Sequence, residues 1–377
     1  MSVKISLTGD FCPIGRIDTA IREGGVADLF ESVEDLFSDS HLVIADLECP
    51  LTESSAAITK TGPHLKGHPK AAGVLRQLGC DLVATANNHF MDFGFKGCED
   101  TYAALEENGI QWVGSGASVT AASTPAIKEC GGLKIAVLNM TENEWSTTHD
   151  ASPGCCPIDF PIALNAINTA RESADFVLVI LHGGHEHYEL PSPRMQRQFR
   201  FMIDAGADAV VGHHTHVISG YEIYRNKPIF YSLGNFCIDS PEQRNSAWNT
   251  GVVLQLEISE NPKVGFQLVP VSQNDDKPGV RVLEDEKALE VRDTVERLRE
   301  VIEDPGQLEA RFEAYCQSRT PVVLSQIQPY SHRVALALHR RGLLPDIVRR
   351  RKRKFLTALC QCESHRELLL HALRSSL

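Results

Sequence analysis

Short runs of aliphatic residues alternate with segments of helical period through the first 211 residues of the chain. The runs Val3–Leu7, Leu42–Ala45 and Val177–Leu181 are typical of buried strands. Between such runs, Pro69–Leu78 and Lys96–Asn108 have the pattern of helices. The alternation predicts an α/β fold with a largely central sheet.

The pattern changes after Val211, where predicted strands follow one another without an intervening helix. They are Val217–Tyr224, Pro228–Ser232, Val252–Ile258 and Val264–Val271. Consecutive strands at hairpin spacing favour antiparallel pairing, so we expect an antiparallel sheet here. Together with the preceding α/β part, this predicts two sheets packed face to face, with helices on the outside.

A polar segment at 273–283 separates this part of the chain from a region of helical period. Val291 and Val295 lie on the apolar face of one amphipathic helix, and two or three more helices follow. We therefore predict a domain over residues 1–275 and a helical C-terminal region over residues 280–377.

The net charge of −12 is spread unevenly along the 377 residues. Residues 331–377 contain 11 of the 37 basic residues and 3 of the 49 acidic ones, which gives this segment +8 and the rest of the chain −20. Because the body is acidic, we do not expect it to bind nucleic acid. The six basic residues at 349–354 fit either a solvated helix face or a contact with an anionic surface.

The 11 cysteines show no spacing typical of a zinc finger or of a small disulfide framework. Free thiols in a reducing compartment are the simpler explanation. The first residues lead straight into a strand without the pattern of a signal peptide, and no run approaches the roughly 18 apolar residues of a membrane span. We therefore expect a cytoplasmic protein without a transmembrane segment.

Side chains with metal-binding atoms follow most of the predicted strands, just beyond their aliphatic residues. The set comprises Asp10, Glu48, Asn88, His89, His182, His214 and His216. Ligands of open α/β sheets bind beyond the carboxyl ends of the strands, so we expect these side chains to converge. Carboxylates, an amide and imidazoles suit one or two divalent ions such as Mn, Zn, Fe or Mg.

Each of these residues taken alone also fits an ordinary structural role. Asp10 could cap the helix that follows it, and Asn88 could occupy a left-handed turn. The histidines could be polar residues of loops or satisfied residues of the core. The number of such residues at strand ends favours the metal centre, and a long polar loop at 141–161 could lie over its mouth.

The motifs at these strand ends resemble those of the CapA-type poly-γ-glutamate capsule-synthesis proteins. In order, they are Gly9-Asp10, Asp46-x-Glu48, Ala86-Asn87-Asn88-His89, His182-Gly183-Gly184-x-Glu186, Gly206-Ala207-Asp208, the segment GHHTH and Tyr231-Ser232-Leu233-Gly234-Asn235-Phe236. The resemblance spans residues 3–240. That family is similar to the calcineurin-like metallophosphoesterases. The resemblance therefore implies a four-layer αββα sandwich of the metallophosphoesterase type, here with a C-terminal helical extension.

The resemblance also implies a role for each candidate residue. Asp10 and His216 would bind one metal ion, and Glu48 stands where the phosphoesterases have a bridging aspartate. The ligands implied for a second ion are Asn88, His182 and His214. His89 would be the general acid.

Two positions depart from the pattern, since Cys12 replaces a histidine common in phosphoesterases and Asp46 replaces an asparagine often seen in the capsule proteins. A thiolate could ligate zinc at Cys12, but the resemblance does not require it.

Hypotheses of different classes follow from these residues. The first is a metal-dependent hydrolase of a phosphoester or related bond in capsule or poly-γ-glutamate biosynthesis, with an anionic small molecule or polymer as substrate. The second is a non-catalytic assembly factor that binds polymer or a capsule synthase. The complete donor set favours the first. A third, a module that binds nucleic acid or a membrane surface through the basic tail, is disfavoured by the acidic body.

Overall fold

A computed structural model describes residues 2–60, 62–259, 264–326, 332–346, 348, 353 and 356. Its strands are β1 (Val3–Cys12), β2 (Leu42–Leu47), β3 (Leu82–Ala84), β4 (Gln111–Val113), β5 (Ser115–Gly116), β6 (Ala126–Cys130), β7 (Leu133–Thr141), β8 (Gly154–Cys155), β9 (Phe176–His182), β10 (Ala209–His213), β11 (Tyr221–Tyr224), β12 (Lys227–Phe230), β13 (Asn235–Ile238), β14 (Thr250–Ile258), β15 (Gly265–Gln273) and β16 (Val280–Val282). Its helices are α1 (Arg16–Glu23), α2 (Ala27–Glu34), α3 (Ala71–Gln77), α4 (Gly94–Glu107), α5 (Val119–Ala122), α6 (Phe160–Ser173), α7 (Pro193–Ala205), α8 (Asp285–Glu303), α9 (Pro305–Gln326) and α10 (Arg333–Arg340).

Two mixed sheets form the centre of the fold. The first has the strand order β16-β15-β14-β1-β2-β3-β4, and β13 also pairs with β1. Its strands β1 to β4 are parallel, whereas β14, β15 and β16 extend the sheet in antiparallel fashion. The second sheet has the order β11-β12-β10-β9-β7-β6, with β7, β9, β10 and β12 parallel. A short β5–β8 pair completes the set.

Alternating side chains of the strands bury both faces of each sheet. In β9, Leu178 and Ile180 belong to the core between the sheets, while Val177 and Val179 belong to the core under α6 and α7. The outer face of the first sheet packs in the same way against α1 to α4. Strands buried on both faces explain the near-continuous aliphatic runs of the sequence. The predicted four-layer αββα sandwich is confirmed.

The helices on the second sheet begin and end at residues that the sequence provides for this purpose. Asp159 accepts the backbone N–H of Ile162 at the start of α6, and Ser192 accepts that of Met195 at the start of α7. Such side-chain caps satisfy backbone donors that have no partner inside the helix. Gly206, with a φ of 124°, then ends α7 and leads into β10.

The strands after Val211 do not form a single antiparallel sheet as the spacing predicts. The β11–β12 hairpin extends the second sheet, whereas β14, β15 and β16 extend the first. The predicted strand Val217–Tyr224 also begins only at Tyr221. Hairpin spacing identifies which strands are paired locally, but the sheet that each hairpin joins depends on contacts far along the chain.

Contacts divide the chain into two units, Met1–Glu309 and Ala310–Leu377, later than the boundary predicted near 280. The reason is that α8 buries Val291 and Val295 in the core between the sheets. The amphipathic period of α8 therefore belongs to the first unit. Of the second unit, the structure describes the rest of α9, α10 and a few later positions.

The remaining global predictions concern the tail, the membrane and the cysteines. Only Arg353 of the basic run at 349–354 is among the described residues, so the prediction for that run lies outside them. Among the described helices, none combines the length and apolar character needed to cross a bilayer. All nine cysteines in the described ranges are free thiols, and eight of them are buried.

Candidate metal centre

Parallel pairing brings the predicted metal-binding residues to the carboxyl ends of neighbouring strands. In the first sheet, Asp10 of β1 lies opposite Asp46 of β2 and Asn235 of β13. In the second sheet, His182 of β9 lies opposite His213 of β10. Because the two sheets face each other, carboxylates from one and imidazoles from the other meet.

The predicted ligands form clusters whose donor atoms lie within 4.8 Å of one another. One cluster contains Asp10, Glu48 and His216, and another contains Glu48, His182 and His214. Asn88 joins through its Oδ1, which lies 3.1 Å from Nε2 of His182. Glu48 is common to both clusters, as a carboxylate shared between two ions would be.

Glu48 is fully buried, and within the described part of the chain neither of its carboxylate oxygens has a hydrogen-bond partner. Its Oε1 lies 3.4 Å from Nε2 of His216 and 3.9 Å from Nε2 of His182. Burial raises the pKa of Glu48 well above its usual range, and the charges of Asp10 and Asp46 raise it further. An ionised Glu48 therefore needs a compensating cation beside it.

Asp10 is held as an anion by its neighbours. Nδ1 of His213 donates to Oδ1 over 2.7 Å, and the backbone N–H of His214 donates to Oδ2 over 3.2 Å. Nδ1 of His216 lies 3.3 Å from the same Oδ2. Burial alone would raise the pKa of Asp10, but the hydrogen bonds from His213 and His216 outweigh it and lower the pKa well below its usual range.

His182 and His214 turn ring nitrogens toward each other. Nδ1 of His214 lies 3.2 Å from Nε2 of His182. Burial lowers the pKa of His214 well below its usual value, and the imidazoles of His182 and His216 lower it further. His214 is therefore neutral at pH 7, which is the state in which an imidazole nitrogen binds a metal ion.

The GHHTH segment adopts an unusual backbone conformation that aims its histidines. His214 and His216 have φ values of 92° and 59°, in the left-handed region that costs a non-glycine residue about 1–3 kcal/mol. His216 is fixed by Asn235, whose Oδ1 lies 3.0 Å from Nδ1, and by Trp248, whose ring centroid lies 4.4 Å from that of His216. Packing and hydrogen bonds therefore maintain the strained loop.

Glycines allow the backbone to approach closely just before the donors. A Cβ atom at Gly212 would lie 2.3 Å from the carbonyl oxygen of Tyr231. A Cβ atom at Gly9 would lie 2.1 Å from the carbonyl oxygen of Gly234. Any side chain at either position would displace a strand that carries a candidate ligand.

His89, the predicted general acid, belongs to a buried group with Asp92 and Lys60. Its Nδ1 lies 2.8 Å from Oδ2 of Asp92 and 3.2 Å from Nζ of Lys60, which also forms an ion pair with Asp92. Burial lowers the pKa of His89, the hydrogen bond to Asp92 opposes the shift, and the charge of Lys60 adds to it. Because Asp92 engages Nδ1, Nε2 is the atom left for proton transfer.

Several residues that contact the candidate ligands or His89 received no role from sequence reasoning. They are Asp46, Lys60, Asp92, His213 and Asn235. Asp46, His213 and Asn235 stand at strand ends inside the motifs that carry the resemblance, and this position was the signal that could have identified them. Lys60 comes from a polar loop, where no pattern distinguishes a buried lysine from a solvated one.

Cys12 does not join the candidate donors among the described residues. It packs in a small apolar cluster with Cys49 and Ile238, and burial raises the pKa of its thiol well above the usual value. It belongs to no donor cluster of the described residues, and neither do His185 and His187. The predicted loop at 141–161 contacts a strand that carries a donor, because the backbone N–H of Glu142 donates to the carbonyl of His182 over 3.0 Å.

The residues of this site fit divalent metal ions. They offer carboxylate, amide and imidazole atoms in overlapping clusters, and the two oxygens of Glu48, which have no hydrogen-bond partner among the described residues, need a compensating cation. Oxygen and nitrogen donors without a thiolate are compatible with several metals, so the donor set identifies the class of ion and not the element.

Comparisons with known proteins identify the family of the chain. Residues 4–240 match the family model described as bacterial capsule synthesis protein PGA_cap. The chain is 30% identical over 280 residues to the PGA biosynthesis protein CapA of Bacillus subtilis (strain 168), covering 73% of each chain. It is 28% identical over 285 residues to the capsule biosynthesis protein CapA of Bacillus anthracis, covering 73% of this chain and 69% of that one.

Solved structures show a weaker likeness. A hypothetical protein from Thermus thermophilus has a TM-score of 0.44 and 16% identity, over 71% of this chain and 99% of that one. The 5′-nucleotidase from Candida albicans has a TM-score of 0.38 and 8% identity, over 84% and 57%. Likeness at this level carries no argument about activity. The family match covers more than half of the chain, and the chain therefore belongs to the bacterial capsule synthesis protein family PGA_cap.

Proposed function

We propose that this protein is a metal-dependent hydrolase that cleaves a phosphoester or related bond in capsule or poly-γ-glutamate biosynthesis. The observation that carries the proposal is the position of Glu48, buried without a hydrogen-bond partner among the described residues and shared by two donor clusters. A protein that only bound a polymer would have no need for buried, uncompensated carboxylates at this point.

In this proposal, Asp10, Glu48 and His216 hold one divalent ion. The residues that hold a second ion are Glu48, Asn88, His182 and His214. Bound there, divalent ions supply Lewis acidity toward a phosphoryl-type oxygen and activate water at neutral pH.

His89 completes the proposed mechanism as the group that moves a proton. It follows Asn88 directly in the chain, so it lies beside the candidate ligands. Asp92 holds the Nδ1 side of the ring, and Nε2 gives its proton to the leaving oxygen of the substrate. The proposed substrate is an anionic small molecule or polymer, because a cationic centre attracts negative charge. A capsule synthase is the proposed protein partner, because the Bacillus relatives are proteins of PGA and capsule biosynthesis.

The test combines metal analysis with a substrate screen on the full-length protein. Bound Mn, Zn and Fe are measured by mass spectrometry, and hydrolysis is assayed with bis-p-nitrophenyl phosphate, p-nitrophenyl phosphate and a γ-glutamyl dipeptide. We expect Glu48→Ala and a triple alanine variant of His182, His214 and His216 to lose metal and hydrolysis together. The matched control is His187→Ala, a histidine near the site but outside the donor clusters, which should retain both.

Two outcomes would contradict the proposal in different ways. Equal metal content in wild type and the triple variant would exclude a metal centre at these residues. Full metal content without hydrolysis of any probe would exclude the hydrolase and favour the second hypothesis, a non-catalytic factor for assembly of the capsule polymer.

We also propose a cytoplasmic location. It is supported by the nine described cysteines, which form no disulfide among themselves. Cell fractionation with thiol labelling tests it, and recovery of disulfide-bonded native protein from an exported fraction would contradict it.

A further inference from the structure

The two ring nitrogens of His182 face different kinds of partner. Nε2 lies 3.1 Å from Oδ1 of Asn88 and 3.2 Å from Nδ1 of His214. Nδ1 lies 3.2 Å from Oδ2 of Asp46. A neutral imidazole carries one proton, so one nitrogen can bind a metal ion only if the other is the donor.

The surroundings decide which nitrogen carries the proton. Nε2 faces the side chains of Asn88, His214 and Glu48. The Oε1 atom of Glu48 lies 3.9 Å from this nitrogen. A proton on Nδ1 makes a charge-assisted bond with the carboxylate of Asp46, whereas a proton on Nε2 would make only a neutral bond with an amide oxygen. The tautomer with the proton on Nδ1 therefore donates a hydrogen bond to Asp46 and leaves the lone pair of Nε2 facing the candidate ligands.

Asp46 itself is well placed to hold this ring. It lies on β2 in register with Asp10 of β1, and it is almost fully buried. Its Oδ2 faces His182, and its Oδ1 has no hydrogen-bond partner within the described part of the chain. The pairing of β1 with β2 thus fixes a carboxylate behind an imidazole that comes from the other sheet.

We propose that Asp46 is the positioning residue of the metal position that contains His182. It accepts a hydrogen bond from the Nδ1–H of His182, which fixes the tautomer and orientation of the ring, and it does not itself bind the ion. The carboxylate also makes Nε2 more electron-rich and adds a negative charge beside the cations. The inference rests on the metal centre of the proposed function and not on hydrolysis.

A direct ligand role for Asp46 is the competing assignment, because Asp10, Asp46 and His182 also form a cluster with donor atoms within 4.8 Å of one another. The two assignments give different results on removal of the carboxylate. Loss of a ligand removes a metal-binding position and lowers the stoichiometry. Loss of a positioning residue lowers the affinity of a metal-binding position that is still present. Removal of such carboxylate partners typically costs about 10–100-fold in metal affinity.

The experiment measures Co²⁺ binding to the full-length chain by calorimetry and by the visible spectrum of the bound ion. The variants are Asp46→Ala, Asp46→Asn and His182→Ala. The control is Glu222→Gln, which changes a buried carboxylate bonded to Arg200 and Tyr231, away from the donor clusters. A parallel ¹⁵N spectrum of histidine-labelled protein without added metal reports the tautomer of His182.

We expect Asp46→Ala to lower the Co²⁺ affinity about 10–100-fold with unchanged saturating stoichiometry. Its ¹⁵N spectrum should lose the pure Nδ1–H signature of His182. Asp46→Asn keeps an oxygen that can accept the Nδ1 proton, so it should retain the tautomer and lose less affinity. His182→Ala should reduce the stoichiometry, and Glu222→Gln should match wild type.

Three outcomes would overturn the inference or the metal centre on which it rests. Asp46→Ala with wild-type affinity would remove the positioning role, and Asp46→Ala with the reduced stoichiometry of His182→Ala would make Asp46 a ligand. A wild type that takes up no Co²⁺ would overturn the centre as a whole. A wild type that binds Co²⁺ but hydrolyses nothing would contradict only the hydrolase, and the comparison of Asp46 variants would still decide the inference.

Discussion

Lys60 is the cationic partner of a buried ion pair beside His89. Its side chain is 2% exposed and forms an ion pair with Asp92, which is 0% exposed. Lys60→Met keeps most of the apolar stem and removes the charge. The carboxylate of Asp92 then stays buried, with the ring of His89 and the backbone N–H of Leu65 as its remaining partners.

Removing one partner of a buried ion pair costs about 3–5 kcal/mol, because the other charge stays desolvated without compensation. We therefore expect Lys60→Met to lower the free energy of unfolding by about 3–5 kcal/mol. The double variant Lys60→Met/Asp92→Asn should recover a large part of this loss, since it removes both charges. A double-mutant cycle measures that coupling directly.

Urea unfolding followed by tryptophan fluorescence is the appropriate assay. The three tryptophans, Trp112, Trp145 and Trp248, all lie in the unit Met1–Glu309, so their signal reports the unit that contains Lys60. The matched control is Lys96→Met, which breaks a pair with Asp100 in which the lysine side chain is 65% exposed. This control should leave the urea concentration at the midpoint of unfolding unchanged. If Lys60→Met shifts the midpoint no more than the control does, the reasoning from burial is wrong.

Three further predictions concern catalysis, packing and the boundary of the first unit. His89→Ala should retain bound metal and lose about 10²–10⁴-fold in rate. Because the pKa of His89 is lowered, the wild-type rate, which depends on protonated His89, should fall as pH rises through a value below the usual 6.5. A pH-independent rate would contradict the acid role. Gly212→Ala should lower stability by about 1–3 kcal/mol in thermal unfolding, because the new Cβ meets a backbone carbonyl, whereas Gly25→Ala meets no atom within 4 Å and should be tolerated. Truncation after Glu309 should give a monodisperse protein in size-exclusion chromatography. Truncation at residue 280 removes α8 and should give aggregates. Equal behaviour of the two truncated proteins would show that α8 is dispensable.

The sequence predicted the convergence of the donors because that convergence depends on few facts. Parallel strands that are consecutive in a sheet end at one edge, so Asp10 and Glu48 could be assigned to a shared region without any distance. The resemblance assigned His182, which ends a strand of the other sheet, to the same centre. Aliphatic runs and the residues after them are local features. The αββα layers followed from the same patterns, once the resemblance had supplied the way in which the sheets pack.

The supporting residues could not be predicted in this way, because their roles depend on register and on contacts distant in sequence. Asp46 supports His182 only because β2 and β9 lie in facing sheets, 136 positions apart in the chain. Lys60 reaches Asp92 from a polar loop, where burial has no sequence signature. The period of α8 likewise indicates one apolar face, but it does not say which core that face joins.

The division of the donors between the two sheets has a consequence for how the protein matures. Carboxylates come from β1 and β2, whereas imidazoles come from the ends of β9 and β10, so neither sheet alone can form the site. A bound ion would act as a cross-link between the halves of the sandwich, comparable to a disulfide that closes a loop of roughly 200 residues. Metal uptake would then be a late step that follows docking of the sheets, and chelation should loosen the interface between them before it unfolds either sheet.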